Sequence, residues 1–241
     1  LEPDVRPQAI ALLCERTGWS KGLLAAIETK KIPSTVLNVN QIRRLQQSKD
    51  PEIAAFVRKT WGTVREGRNE RRELIVSQYR NLLRRESGDP VEGRKVFQKI
   101  CAQCHKIYGD GVEVGPELTL NGRNDFDQLI SNVLDPNLVI GQVYEAVNVA
   151  VRDGRVLSGL LVEDGKDQVI LKMQGGKQEV IPRGDVEELK VSSISLMPEE
   201  IENQITPQEM VDLFSFLALD KPPEDPTAKR LPGAPEPKAR P

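Results

Sequence analysis

Apolar positions between Arg6 and about Arg85 recur at three- and four-residue spacing in short runs, punctuated by Gly18, Pro33, Pro51 and Gly62. That pattern predicts several short helices in succession. The clearest has Asp50 as its cap, Pro51 at the first helical position and Ile53, Phe56, Val57, Thr60 and Trp61 on one face, and Gly62 stops it. Leu74, Ile75, Tyr79, Leu82 and Leu83 make the apolar stripe of a longer helix. Another begins at Asp89-Pro90-Val91-Glu92, which orders a capping residue, a first-turn proline and a third-position glutamate. After a glycine-rich stretch, a helix is expected from Asn124 or Asp125 to about Leu134, ended by Asp135-Pro136. The last opens with the capping box Thr206-Pro207-Gln208-Glu209 and carries Met210, Leu213, Phe214 and Leu217 on one face.

Between these helices the period changes from 3.6 to 2. Residues Val143 to Arg152, Arg155 to Glu163, Lys166 to Gln174 and Lys177 to Pro182 alternate or run apolar, separated by Asp153-Gly154, Asp164-Gly165 and Gly175-Gly176. Two-residue Asp-Gly and Gly-Gly connections match strand twist, so three successive hairpins are expected. A fifth strand fits Glu188 to Ile194. Such a meander must bury one face, and curling into a small SH3-like β-barrel over about 142–194 would do so. The fold class is therefore α+β: a helical region at 1–86, either HEAT-like or a plain bundle, then a mostly helical domain at 87–219 carrying the barrel as an insertion. A tail from Asp220, with seven prolines in its 22 residues, is expected to be extended or disordered.

Composition narrows the function classes. The 241 residues carry a formal charge of −2, which does not suggest nucleic acid as a partner. No apolar run approaches the roughly 18 residues of a membrane span, and the first residues lack the basic and apolar regions of a signal peptide. Leu1 reads as the start of a piece of something longer, with an export signal upstream. Between Arg58 and Arg85 nine Lys or Arg stand against three Glu. The excess reads as a solvated helix face, with a basic docking face as the alternative.

The chemistry concentrates in Cys101-Ala102-Gln103-Cys104-His105, the C-x-x-C-H pattern of covalent haem attachment. Each thiol can add to one haem vinyl group, and the next imidazole becomes an axial iron ligand. His105 is the only histidine in the chain. A zinc site would need four ligands, and the remaining Cys14 and the carboxylates supply no second such pair. Cys14 itself falls in an apolar helix pattern, where a cysteine acts as a small hydrophobe. With no other histidine, a methionine thioether is the leading sixth ligand. Met173 falls in a strand and Met210 on a helix's apolar face, whereas Met197 lies in the irregular segment Ser195-Leu196-Met197-Pro198.

These residues resemble class I c-type cytochromes: Gly93 and Phe97 in the helix before the haem motif, Gly115-Pro116-Glu117-Leu118 after it, Met197-Pro198, and a terminal helix from Pro207 to Leu217 follow in that family's order. The resemblance implies that the Pro116 carbonyl accepts a hydrogen bond from the His105 ring, that Met197 is the second axial ligand beside His105, and that Arg123 reaches a haem propionate. Met197 follows His105 by 92 residues, which departs from the plain family, because the strands fall inside that interval. In this elongated form the region from Asp89 to Leu219 resembles the haem-binding module that ends large dehydrogenase-like proteins of planctomycete-type bacteria, which helical repeats commonly precede. The implied role is single-electron transfer by one covalent haem c, with a redox partner protein or an upstream dehydrogenase domain as donor, and not catalysis by this chain. Haem-based catalysis or gas binding, and a protein-binding scaffold with a secondary haem, are the alternatives. Because haem c is attached outside the bacterial cytoplasm, a periplasmic or otherwise exported location is expected.

Overall fold

The computed structural model describes residues 6–37, 39–65, 67–119, 123 and 126–235. In chain order the elements are α1 (Arg6–Leu13), α2 (Thr17–Glu28), α3 (Val39–Gln46), α4 (Pro51–Trp61), β1 (Thr63–Val64), α5 (Glu70–Arg85), α6 (Pro90–Ile100), β2 (Lys106–Ile107), β3 (Asp110–Gly111), α7 (Phe126–Leu134), β4 (Val139–Ile140), β5 (Ala146–Val151), β6 (Val156–Asp164), β7 (Gln168–Lys172), β8 (Gln178–Pro182), β9 (Val186–Val191) and α8 (Pro207–Leu217). Helix and strand are mixed, as the change of period predicts. The chain divides into two units, 1–68 with 137–145, and 69–136 with 146–241. The boundary therefore falls at 68 rather than 86, because α5 packs with α7 and α8 of the second unit. No described helix is long and apolar enough to cross a membrane.

In the first unit α1 to α4 enclose a core that includes Leu24, Leu45, Ile53, Val57 and the buried Cys14. The Asp50 carboxylate caps α4 by accepting the Glu52 N–H at 3.0 Å. Ile53 and Val57 are buried as expected, but Thr60 is exposed, since the face narrows toward the helix end. β1 pairs antiparallel with β4, so residues 137–145 complete this unit.

The second unit is built on α6 packed across α8. Their backbones touch where a side chain on Gly93 would stand 1.9 Å from the Asp212 carbonyl. Phe97 and Phe216 meet at the crossing with ring centroids 5.6 Å apart. The capping box of α8 forms reciprocally between Thr206 and Glu209. That of α6 does not: Asp89 accepts the Val91 N–H, while Glu92 pairs with Lys95. The stripe of α5 also differs from expectation, because Leu74 faces solvent and Arg72, Val76 and Leu83 are the buried positions. The expected start of α7 at Asn124 or Asp125 lies outside the described residues.

The strands form one antiparallel sheet in the order β8-β7-β6-β5-β9. Its hairpins turn at the three predicted dipeptides, but the first strand starts at Ala146, after a 3-10 turn at Gln142–Tyr144, and the last spans Val186–Val191. The sheet does not close into the expected barrel. β8 and β9 remain its two edges, joined by a 3-10 turn at Arg183–Asp185. The buried cluster of the sheet includes Val147, Val149, Val169 and Leu171, with Leu157, Val186 and Leu189 partly buried against it. The proline-rich tail is likewise not disordered over 220–235. Asp220 N–H bonds the Lys229 carbonyl at 2.9 Å, Leu231 N–H bonds Ala218 at 2.8 Å, and Leu231 and Ala234 pack on the core. Its prolines lack donors and stiffen the extended path, which leaves few backbone groups needing partners. Residues 236–241 lie outside the described residues.

Candidate functional site

Helix α6 ends at Cys101, and the chain winds one further turn through the motif. Cys104 N–H and His105 N–H both bond the Cys101 carbonyl, at 3.0 and 2.9 Å. The β2–β3 hairpin then folds the following loop back. Val112 N–H bonds the Ala102 carbonyl at 2.8 Å, and the N–H groups of Val114 and Gly115 converge on the Cys104 carbonyl at 3.0 and 2.8 Å. This return brings Gly115-Pro116 against His105.

His105 Nδ1 lies 3.0 Å from the Pro116 carbonyl oxygen. A carbonyl only accepts, so Nδ1 carries the proton and Nε2 keeps its lone pair. Burial pushes the His105 pKa down, with the Pro116 contact opposing it, which favours the neutral imidazole. A side chain at position 115 would stand 2.7 Å from the ring's Cε1. The glycine therefore lets the loop lie flat on the imidazole. The hydrogen bond implied by the resemblance is present.

Both motif cysteines are free thiols. Burial raises the Cys101 pKa to about 12, with Cys104 adding to the rise. Burial also raises Cys104, partly offset by the Gly175 N–H. These are protonated thiols at neutral pH, unlike the low-pKa thiolates of redox-active C-x-x-C sites. Among the described residues no group of three or more His, Cys, Asp or Glu side chains is arranged to hold a metal ion. The donor set does not suit bare zinc. It does suit haem, whose attachment needs two thiols and one adjacent imidazole with Nε2 available.

One contact on the motif was not legible in the spacing. The β7–β8 turn reaches Gln103: Gly175 N–H bonds its carbonyl at 2.9 Å, and Gln174 Nε2 donates to its Oε1 at 2.5 Å. Met173 precedes this turn and is half-buried just beyond β7, not inside a barrel. Met210 is fully buried in the α8 core. Met197 is half-buried in irregular chain, its N–H bonding Ser195 Oγ at 3.1 Å.

Arg123 makes its hydrogen bonds to protein groups. Its side chain is buried and donates to the carbonyls of Leu118, Thr119, Leu217 and Leu219, and to the Tyr108 hydroxyl. Arg123 ties the loop after the motif to the end of α8. Sequence reasoning missed a second buried arginine, Arg72, ion-paired to Glu202 at 2.6 Å. The basic excess is also largely neutralised: Arg80 and Arg84 both pair with Asp127, and Arg71 with Glu200.

In comparisons with known proteins, no family model matches this chain and no curated protein matches it significantly.

Proposed function

We propose that this chain is a mono-haem c-type cytochrome domain that passes single electrons. The observation that carries the reading is the turn Cys101 to His105 with His105 Nδ1 held by the Pro116 carbonyl. Two thiols and one oriented imidazole stand in five residues, and Nε2 is left as a ligand. Cys101 and Cys104 would hold the porphyrin covalently, and His105 and Met197 would be the axial ligands. Bound haem would supply a one-electron couple, its potential raised by thioether ligation. The chain's own contribution is to fix the imidazole tautomer through Pro116, a partner of the kind that orients metal-bound histidines.

The class I cytochrome resemblance gains support from α6 crossing α8 at Gly93, with Phe97 in the contact. The sheet that lies between the motif and Met197 in the chain fits the elongated module. A redox partner or upstream dehydrogenase domain would supply electrons, and haem c attachment implies an exported location.

Substituting methionines one at a time tests the ligand assignment. In haem-loaded protein, Met197→Ala should remove the far-red methionine-to-iron band, lower the potential and open the iron to carbon monoxide. Met173→Ala and Met210→Ala should leave the band in place. A Met197→Ala spectrum identical to the parent's, or loss of the band in Met173→Ala, would overturn the assignment. Rapid carbon monoxide binding by the unaltered protein would instead favour gas binding or catalysis.

A further inference from the structure

We infer that Arg72 is a positioning residue that holds the Met197 segment in place through Glu202, an inference that rests on the proposed ligand role of Met197. The Arg72 side chain is 2% exposed and that of Glu202 is 8% exposed. Arg72 Nη1 lies 2.6 Å from Glu202 Oε1, and Nη2 lies 3.2 Å from Oε2, a two-pronged grip. Arg72 Nε donates to the Leu134 carbonyl at 2.9 Å, and Nη2 reaches the same oxygen. Leu134 ends α7, where carbonyls lack helical partners and the helix dipole favours a cation. One guanidinium therefore joins α5, the end of α7 and the 3-10 turn at Ile201–Asn203.

That turn lies a few residues beyond Met197, and the intervening backbone belongs to no helix or strand. Pro198 fixes one torsion. Glu200 occupies the left-handed region at φ 63°, uncommon for a residue with a side chain, and pairs with Arg71 at 3.0 Å. A thioether is a neutral ligand with three rotatable bonds, so its hold on iron depends on how much freedom its segment has already lost. Arg72 and Glu202 remove that freedom from a site buried within the unit. Lysine does not reproduce this arrangement, because its point-like ammonium lacks the planar fork that grips both carboxylate oxygens while Nε holds the carbonyl.

The test uses the full haem-loaded chain with Arg72→Lys, Glu202→Gln, Met197→Ala and, as reference, Arg84→Ala at an exposed pair on the same helix. Circular dichroism selects conditions in which each variant is folded. Arg72→Lys and Glu202→Gln should each weaken the far-red band several-fold and speed carbon monoxide binding to the reduced protein at least tenfold. Both should also raise amide exchange across residues 199–204. Arg84→Ala should change these readouts little. A full far-red band and slow carbon monoxide binding in both Arg72→Lys and Glu202→Gln, with the band lost in Met197→Ala, would overturn this inference alone. A band that survives Met197→Ala would overturn both it and the ligand assignment. If Arg72→Lys fails to fold, Glu202→Gln decides.

Discussion

Position 115 illustrates how one atom matters at the site. Gly115→Ala would press a methyl group onto the His105 ring at 2.7 Å. Relief of such overpacking costs about 1–3 kcal/mol in general. We expect a lower urea midpoint and reduced haem incorporation for Gly115→Ala, whereas Gly184→Ala, with open space around it, should match the parent in both. The motif and its Pro116 contact were legible because both arise from residues close in the chain. Arg72 was not: an arginine in a helix reads as solvated, and its burial depends on Glu202, 130 residues away. Arg123 stands out in the sequence, but its carbonyl acceptors at Leu217 and Leu219 do not, since they come from the far end of the domain. Removing Arg72 altogether should be costly. Arg72→Met would leave a buried carboxylate unpaired, a change worth about 3–5 kcal/mol in general, read as a fall in the urea unfolding midpoint.

Helix termini were the most legible features among the elements, because a cap is a local bond. The Glu209 carboxyl is held below the usual carboxylate range by the Thr206 N–H and hydroxyl. A carboxyl with a lowered folded pKa adds stability above its unfolded value, about 4.3, and that contribution is lost as pH falls through the folded value. Glu209→Gln should therefore shrink the stability difference from the parent below about pH 4, measured as melting temperature against pH. Thr206→Ala should cost about 1 kcal/mol at neutral pH, read from urea unfolding. The hairpins were also predictable, but their docking was not. Gly175 and Gly176 both sit at φ 75°, and a side chain at 176 would lie 2.7 Å from Val112 Cγ1. Gly176→Val should release the turn from the motif, detected as faster amide exchange at Gly175, with the rest of the sheet unchanged. Sheet closure was overestimated because alternation reveals which face is buried without revealing whether the edges meet.

At the scale of the whole molecule, the sequence pattern located helical and stranded regions well and the unit boundary less well. The strip 137–145 leaves the second unit to pair β4 with β1 in the first, an exchange that no local signal announces. For the tail, composition reports the absence of a core-forming pattern, yet residues 220–235 find partners on a surface built by α7 and α8. Within the second unit three features meet at one short motif. α6 delivers it, the β2–β3 hairpin folds Pro116 onto His105, and the β7–β8 turn fastens Gln103. The proposed role of this motif is to carry covalent haem for electron transfer. The most direct test is the denatured mass and visible spectrum of protein matured with a haem c attachment system. A mass raised by one haem, sharp low-spin reduced bands and a far-red feature when oxidised are predicted; an unmodified mass, with Cys101 and Cys104 still free, would contradict it.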